Sequence, residues 1–245
     1  MPEFVTSDNI RLFYTDEGEG TPLVCLAGLT RSHRDFDFVA PHLSGVRMIR
    51  LDYRGRGRSD RADPASYTPS VEARDVLELL DHLTLEKAAI LGTSRGGLVA
   101  MNLGALAPAR LLGVALNDVG PVLDPIITEK IGAFIGKKPL HKSYAALLEV
   151  WPDLVQGFDN VPKSRFREEI ARLYEETDTS LELIYDPALQ QSYLAMLEGD
   201  PMDLWPMFHA FKGLPLCALR GGNSKLLSAE TFAEMQSAMP QMIAA

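Results

Sequence analysis

Hydrophobic positions along this 245-residue chain follow two periods in alternation. Residues 3–6 and 10–15 alternate apolar with polar, as a half-exposed strand pair at a sheet edge does. Short apolar runs bounded by turn signals come next: PLVCLAG (22–28), VRMIRLDY (46–53), KAAILGT (87–93), LLGVALND (111–118) and PLCALRG (215–221). Runs of this kind suit strands covered on both faces of a parallel sheet. Between them the period becomes helical. Over 69–83, PSVEARDVLELLDHL, the residues Val71, Val76, Leu79, Leu80 and Leu83 share one face, with Thr68 placed to cap and Pro69 in the first turn. Residues 95–108 and 228–239 predict two further helices. The alternation predicts right-handed βαβ units, hence an α/β fold with a doubly wound, mostly parallel sheet and helices on both faces.

The rhythm breaks between 122 and 213. That segment is rich in aromatics, Met and Pro and reads as several helices (ITEKIGAFIG, SYAALLEVW, RFREEIARLYEE, PALQQSYLAMLEG) with no buried-strand run among them. The strand pattern resumes at 215, so 122–213 predicts a helical insertion after the sixth strand into a core made of 1–121 and 214–245. An insertion at a strand's C-terminal end sits over the crevice where open α/β sheets bind ligands, and a lid is expected.

Charge and composition narrow the partners. A net charge of −9 opposes nucleic acid and anionic membrane surfaces, leaving a small neutral or weakly charged organic substrate or ligand. Cys25 and Cys217 each lie inside an apolar run, where thiols behave as small hydrophobes and imply no disulfide framework. With no signal-like N-terminus and no run of spanning length, a cytoplasmic protein is expected, without metal or cofactor.

The stretch LGTSRGG (91–97) carries the chemistry. It follows an apolar strand run and opens a helix-like segment, and Gly92 and Gly96 flank Ser94 at two residues on either side. Small residues there suit a strained strand-to-helix elbow, because a Cβ would strike the neighbouring elements. Such an elbow lifts the Ser94 hydroxyl above the sheet and turns the N–H of Arg95 toward the place where an oxyanion would form.

In these residues the chain resembles the α/β-hydrolase family, in its serine-nucleophile branch acting on esters, enol-lactones or C–C bonds. CLAGLTRS resembles the family's oxyanion loop, which implies Leu29 N–H as the second donor. LDYRGRGRSD resembles the family's turn after the fourth strand, at Asp52, Arg54, Gly55, Gly57 and Ser59, where the role is structural support. The resemblance also implies an acid after the seventh strand and a histidine after an eighth. Lys225 stands at the usual acid position. The chain ends at MPQMIAA, where the eighth strand is due to begin, so the last strand, its loop and the catalytic histidine are expected to lie beyond the sequence, and turnover by the chain as it stands is expected to be impaired.

Asp118, at the end of the sixth strand, occupies the alternative acid site of some relatives and either orients a histidine supplied from elsewhere or pairs with Lys225. A Ser94–Lys225 dyad is a longer reach. Of the histidines, His33 follows the oxyanion loop, while His42, His82, His141 and His209 fall on helices or in the insertion. Leu29, Trp151, Trp205, Met202 and Met207 are candidates for an apolar lining. Losing the last strand leaves PLCALRG as an open edge, which predicts self-association, and leaves FAEMQSAMPQMIAA short of packing surface. A non-catalytic small-molecule binder on the same fold is the alternative. A dinucleotide site is a third reading, disfavoured because GTSRGG is not GxGxxG.

Overall fold

The period-two stretches at the start of the chain pair antiparallel as β1 (Glu3–Val5) and β2 (Arg11–Glu17). The computed structural model describes residues 2–155, 160–199 and 202–245. In it the apolar runs become β3 (Thr21–Leu26), β4 (Val46–Leu51), β5 (Ala88–Thr93) and β6 (Leu111–Asn117). Within 122–213 lies a short antiparallel pair, β7 (Tyr174–Glu176) with β8 (Leu181–Leu183). The main sheet is completed by β9 (Leu216–Leu219) and β10 (Ile243–Ala244), giving the order β1-β2-β4-β3-β5-β6-β9-β10. All neighbours from β4 to β10 run parallel. Val24, Cys25 and Leu26 of β3 have no exposure, as strands covered on both faces require. Burial pushes the Cys25 thiol up to about 12, so it behaves as a small core hydrophobe.

The helices follow the 3.6-residue pattern. α1 (Pro69–His82) starts where Thr68 Oγ1 accepts the Val71 N–H at 3.3 Å, and α2 (Arg95–Leu106) springs from the end of β5. Then come α3 (Pro125–Phe134), α4 (Tyr144–Leu154), α5 (Lys163–Leu173), α6 (Leu189–Glu198), α7 (Trp205–His209) and α8 (Ala229–Ala238), the last capped by Ser228. Among the described residues no helix is long and apolar enough to cross a membrane.

Two expectations are corrected. The run RFREEIARLYEE is not helical to its end: its last three residues form β7, paired with 181–183 through Tyr174 opposite Leu183. Nor is PLCALRG the sheet's edge, because Ile243 and Ala244 pair in parallel with Cys217 and Ala218, and Arg220 donates its N–H to the Ala245 carbonyl at 2.8 Å. The physical reason is the burial of Met235, Met239 and Met242 in the main core, which packs α8 and carries the chain after it alongside β9.

Candidate active site

Ser94 sits between β5 and α2 with φ 51 and ψ −113, a conformation that costs a non-glycine residue of order 1–3 kcal/mol and is kept only where the surroundings enforce it. They do so here through the backbone. Ser94 N–H donates to the Asn117 carbonyl on β6 at 3.1 Å, and the Ser94 carbonyl accepts from Gly97 N–H at 2.9 Å. The glycines permit the approach. A Cβ on Gly96 would stand 2.0 Å from the Leu26 carbonyl oxygen, and one on Gly92 would stand 2.5 Å from that of Gly96. The Ser94 hydroxyl makes no cap hydrogen bond to its own helix, so it is left for the space in front of it.

That space is a cavity of about 360 Å³ lined by Ser94, Thr93 and Arg95 from the elbow and by Gly28, Leu29, Thr30 and Arg31 from the loop after β3. Leu98, Val119, Leu123 and Leu226 form its apolar side, and Thr128, Ile131, Tyr193 and Met196 reach it from α3 and α6. The volume suits a small organic molecule, with polar groups at the Ser94 end to orient it. Leu29 and Arg95 both line this cavity, and neither backbone N–H has an acceptor among the described residues.

A buried ionic chain ties these two amides' segments together. One Glu72 oxygen lies 2.7 Å from Nε of Arg95 and the other 2.9 Å from Nη2 of Arg56, with Glu72 and Arg56 fully buried. Arg56 Nε in turn donates to the Leu29 carbonyl at 3.0 Å. Burial holds the Arg56 guanidinium below its ordinary pKa, and the Glu72 charge pulls it back up. Glu72 thereby grips the first residue of the elbow helix and, through Arg56, the backbone of the loop after β3.

Below it, the turn after β4 is structural, as its resemblance implied. Asp52 is fully buried; its Oδ1 accepts from the N–H of His33 at 2.6 Å and its Oδ2 from that of Arg58 at 3.0 Å, while His33 Nδ1 lies 2.8 Å from Oδ2. His33 is thus tied to Asp52 and packed on Phe13, with ring centroids 4.9 Å apart. His82 stacks on Phe4, and His209 packs beside Trp205. None of the five histidines lines the Ser94 cavity.

Asp118 follows β6 in the left-handed region, φ 54. Its carboxylate accepts from Ser224 Oγ at 2.8 Å and from Gly221 N–H at 3.3 Å, so it is held by the turn that carries Lys225. Lys225 itself is exposed between β9 and α8, and it does not line the cavity.

Of the lining residues expected from sequence, Leu29 is in place and the rest are elsewhere. Trp151 is buried with Leu147, Phe166 and Ile170, Trp205 and Met207 pack against the main core, and Met202 is 66% exposed. Thr128 with Ile131, and Tyr193 with Met196, take the lining role; each pair is spaced three apart on one helix face, the signal that could have found them. Arg31 and Asp35, joined at 2.9 Å, also line the cavity, and burial pushes the Asp35 carboxyl up while Arg31 opposes this.

Comparison with known proteins agrees with this fold. The family model described as alpha/beta hydrolase fold matches residues 21–177. A 3-hydroxybutyrate-oligomer hydrolase of Cupriavidus necator is 38% identical over 87% of this chain and 76% of its own length. A 2-hydroxymuconate semialdehyde hydrolase of Pseudomonas sp. strain CF600 is 27% identical over 82% of this chain and 67% of its own. Among solved structures, an alpha/beta hydrolase from Novosphingobium aromaticivorans superimposes with a TM-score of 0.87 at 32% identity, over 100% of this chain and 88% of that one.

Proposed function

The chain belongs to the alpha/beta hydrolase fold family, and from that premise we propose that it is built to hydrolyse small esters through Ser94. The observation that carries this reading is one cavity lined by a strained serine, whose hydroxyl makes no cap bond, and by Leu29 and Arg95, whose backbone N–H groups have no acceptor among the described residues. The Ser94 oxygen attacks the ester carbonyl as its proton passes to a base. The carbonyl oxygen becomes an oxyanion received by the two amides, and collapse expels the alcohol half to leave an acyl-serine that water hydrolyses.

Asp118 is suited to orient a histidine as that base, since its carboxylate is already fixed by Ser224 and Gly221. None of the five histidines lines the cavity, so the chain as it stands is expected to release product slowly. Residues 122–213 act as the lid of the site, supplying Thr128, Ile131, Tyr193 and Met196. The relative from Cupriavidus necator suggests the substrate class, a short oligomer of a hydroxy acid.

The test is turnover of a linear 3-hydroxybutyrate oligomer. Release of monomer by the parent, abolished in Ser94→Ala, supports the reading; equal release by both overturns it. The position of the histidines favours one second reading, a binder of the same ligands without turnover, for which the oligomer binds and is recovered intact.

A further inference from the structure

A second cavity, of about 270 Å³, adjoins the Ser94 cavity and shares the lining residues Leu29, Thr30 and Ile131 with it. Its lining is otherwise apolar and aromatic, with one charged residue, Lys137. The outer end faces solvent, since Phe134 is 76% exposed and Lys137 is exposed beside it. The backbone there is fixed. Gly136 turns the chain out of α3 at φ 77, its N–H donates to Tyr185 Oη at 3.1 Å, and Lys137 N–H donates to the Phe134 carbonyl at 3.2 Å.

The cations of the two cavities differ in what neutralises them. Arg31 is engaged by Asp35 and Glu169, and Arg95 by Glu72. Lys137 makes no ion pair among the described residues; the adjacent Lys138, which lines neither cavity, is paired with Glu182. An anion approaching this chain meets a net charge of −9 and, inside the Ser94 cavity, an Arg31 already bound by Asp35 and Glu169 and an Arg95 already bound by Glu72. A carboxylate is therefore disfavoured beside Ser94 and favoured only where a cation stands without its own counter-charge.

We propose that the second cavity receives the half of the substrate that carries a free carboxylate, with Lys137 at its mouth as the group that recognises the acid. This rests on the ester-hydrolase reading, which places the scissile bond beside Ser94. The substrate class becomes an ester with an apolar body and a terminal acid, lying along the Leu29 and Ile131 lining that the two cavities share. Lys137 is a specificity-determining residue that touches the far end of the ligand and takes no part in bond breaking.

The experiment uses the full chain with Ser94→Ala, so that binding is read without turnover, and titrates it calorimetrically with the linear 3-hydroxybutyrate trimer and with the methyl ester of that trimer. The acid is expected to bind about fivefold tighter at low ionic strength, a preference that shrinks as salt is added. Adding Lys137→Glu brings the ratio to one or below, whereas Lys138→Glu keeps it. Circular dichroism of these surface variants checks that the fold is unchanged. Equal affinity for acid and methyl ester, a ratio indifferent to Lys137→Glu, or no binding of either ligand overturns the proposal. If the ratio behaves as expected but the parent cleaves no ester, the anion-recognising cavity stands and the hydrolytic reading falls.

Discussion

The carboxylate of Glu72 lies 2.7 Å from the Nε of Arg95, inside the protein and directly behind the elbow that presents Ser94. Its other oxygen reaches Arg56, so one buried anion is shared by two buried cations. Removing the shared partner is costlier than losing an exposed pair, because two guanidiniums are left facing each other without a counter-charge. Glu72→Gln is expected to lower stability by about 3–5 kcal/mol, read as a shift of the urea midpoint. Arg56→Met releases the Leu29 carbonyl and is expected to slow acylation of Ser94 more than it weakens ligand binding.

Gly96 sets how closely α2 can approach β3. A Cβ there would lie 2.0 Å from the Leu26 carbonyl oxygen, and backbone at that distance has nowhere to move. Gly96→Ala is expected to cost about 3 kcal/mol or more and to lower the thermal midpoint accordingly. Gly222, with nothing within 4 Å of its added Cβ, provides the contrast; Gly222→Ala is expected to fall within about 0.5 kcal/mol of the parent.

Asp8 gives the pH dependence its sign. Arg54, bonded to it at 2.9 Å, holds its carboxyl well below the usual carboxylate range, against a smaller opposing effect of burial. A folded pKa below the unfolded one contributes stability that is present above about pH 4 and is lost as pH falls toward the folded value. Asp8 is 39% exposed, so solvent screening limits the contribution to roughly 1 kcal/mol. Asp8→Asn is expected to be less stable than the parent at neutral pH, and the gap in urea midpoints should close as pH is lowered below about 4.

Glu169 on α5 and Arg31 after β3 form an ion pair that joins the 122–213 segment to the loop after β3. Both are partly exposed, so Glu169→Gln is expected to cost less than about 1 kcal/mol in stability. Its larger effect is expected as faster amide exchange in α5, measured by hydrogen–deuterium exchange with mass spectrometry.

The parts legible in sequence are those that local pattern decides. Strands buried on both faces leave unbroken apolar runs, and Thr68 with Pro69 announces α1 because capping is a local event. Ser94 stood out because Gly92 and Gly96 flank it at a fixed local spacing, although the contact that Gly96 answers to is Leu26 on β3. Other features depend on distant partners. Glu72 and Asp75 lie on the buried side of α1 with Val76 and Leu79, where carboxylates are uncommon, and both are fully buried against arginines from the turn after β4 and from the elbow. Tyr174 continues the helical period of α5 but pairs with Leu183, and the tryptophans pack in cores while Tyr193 and Met196 line the cavity.

The most direct test is covalent capture of the elbow serine with a fluorophosphonate, read by intact mass and by peptide mapping. The account predicts a single adduct on the peptide containing Ser94, absent in Ser94→Ala and slowed in Arg56→Met. A folded parent that gains no adduct, or a Ser94→Ala chain that labels equally well, contradicts it.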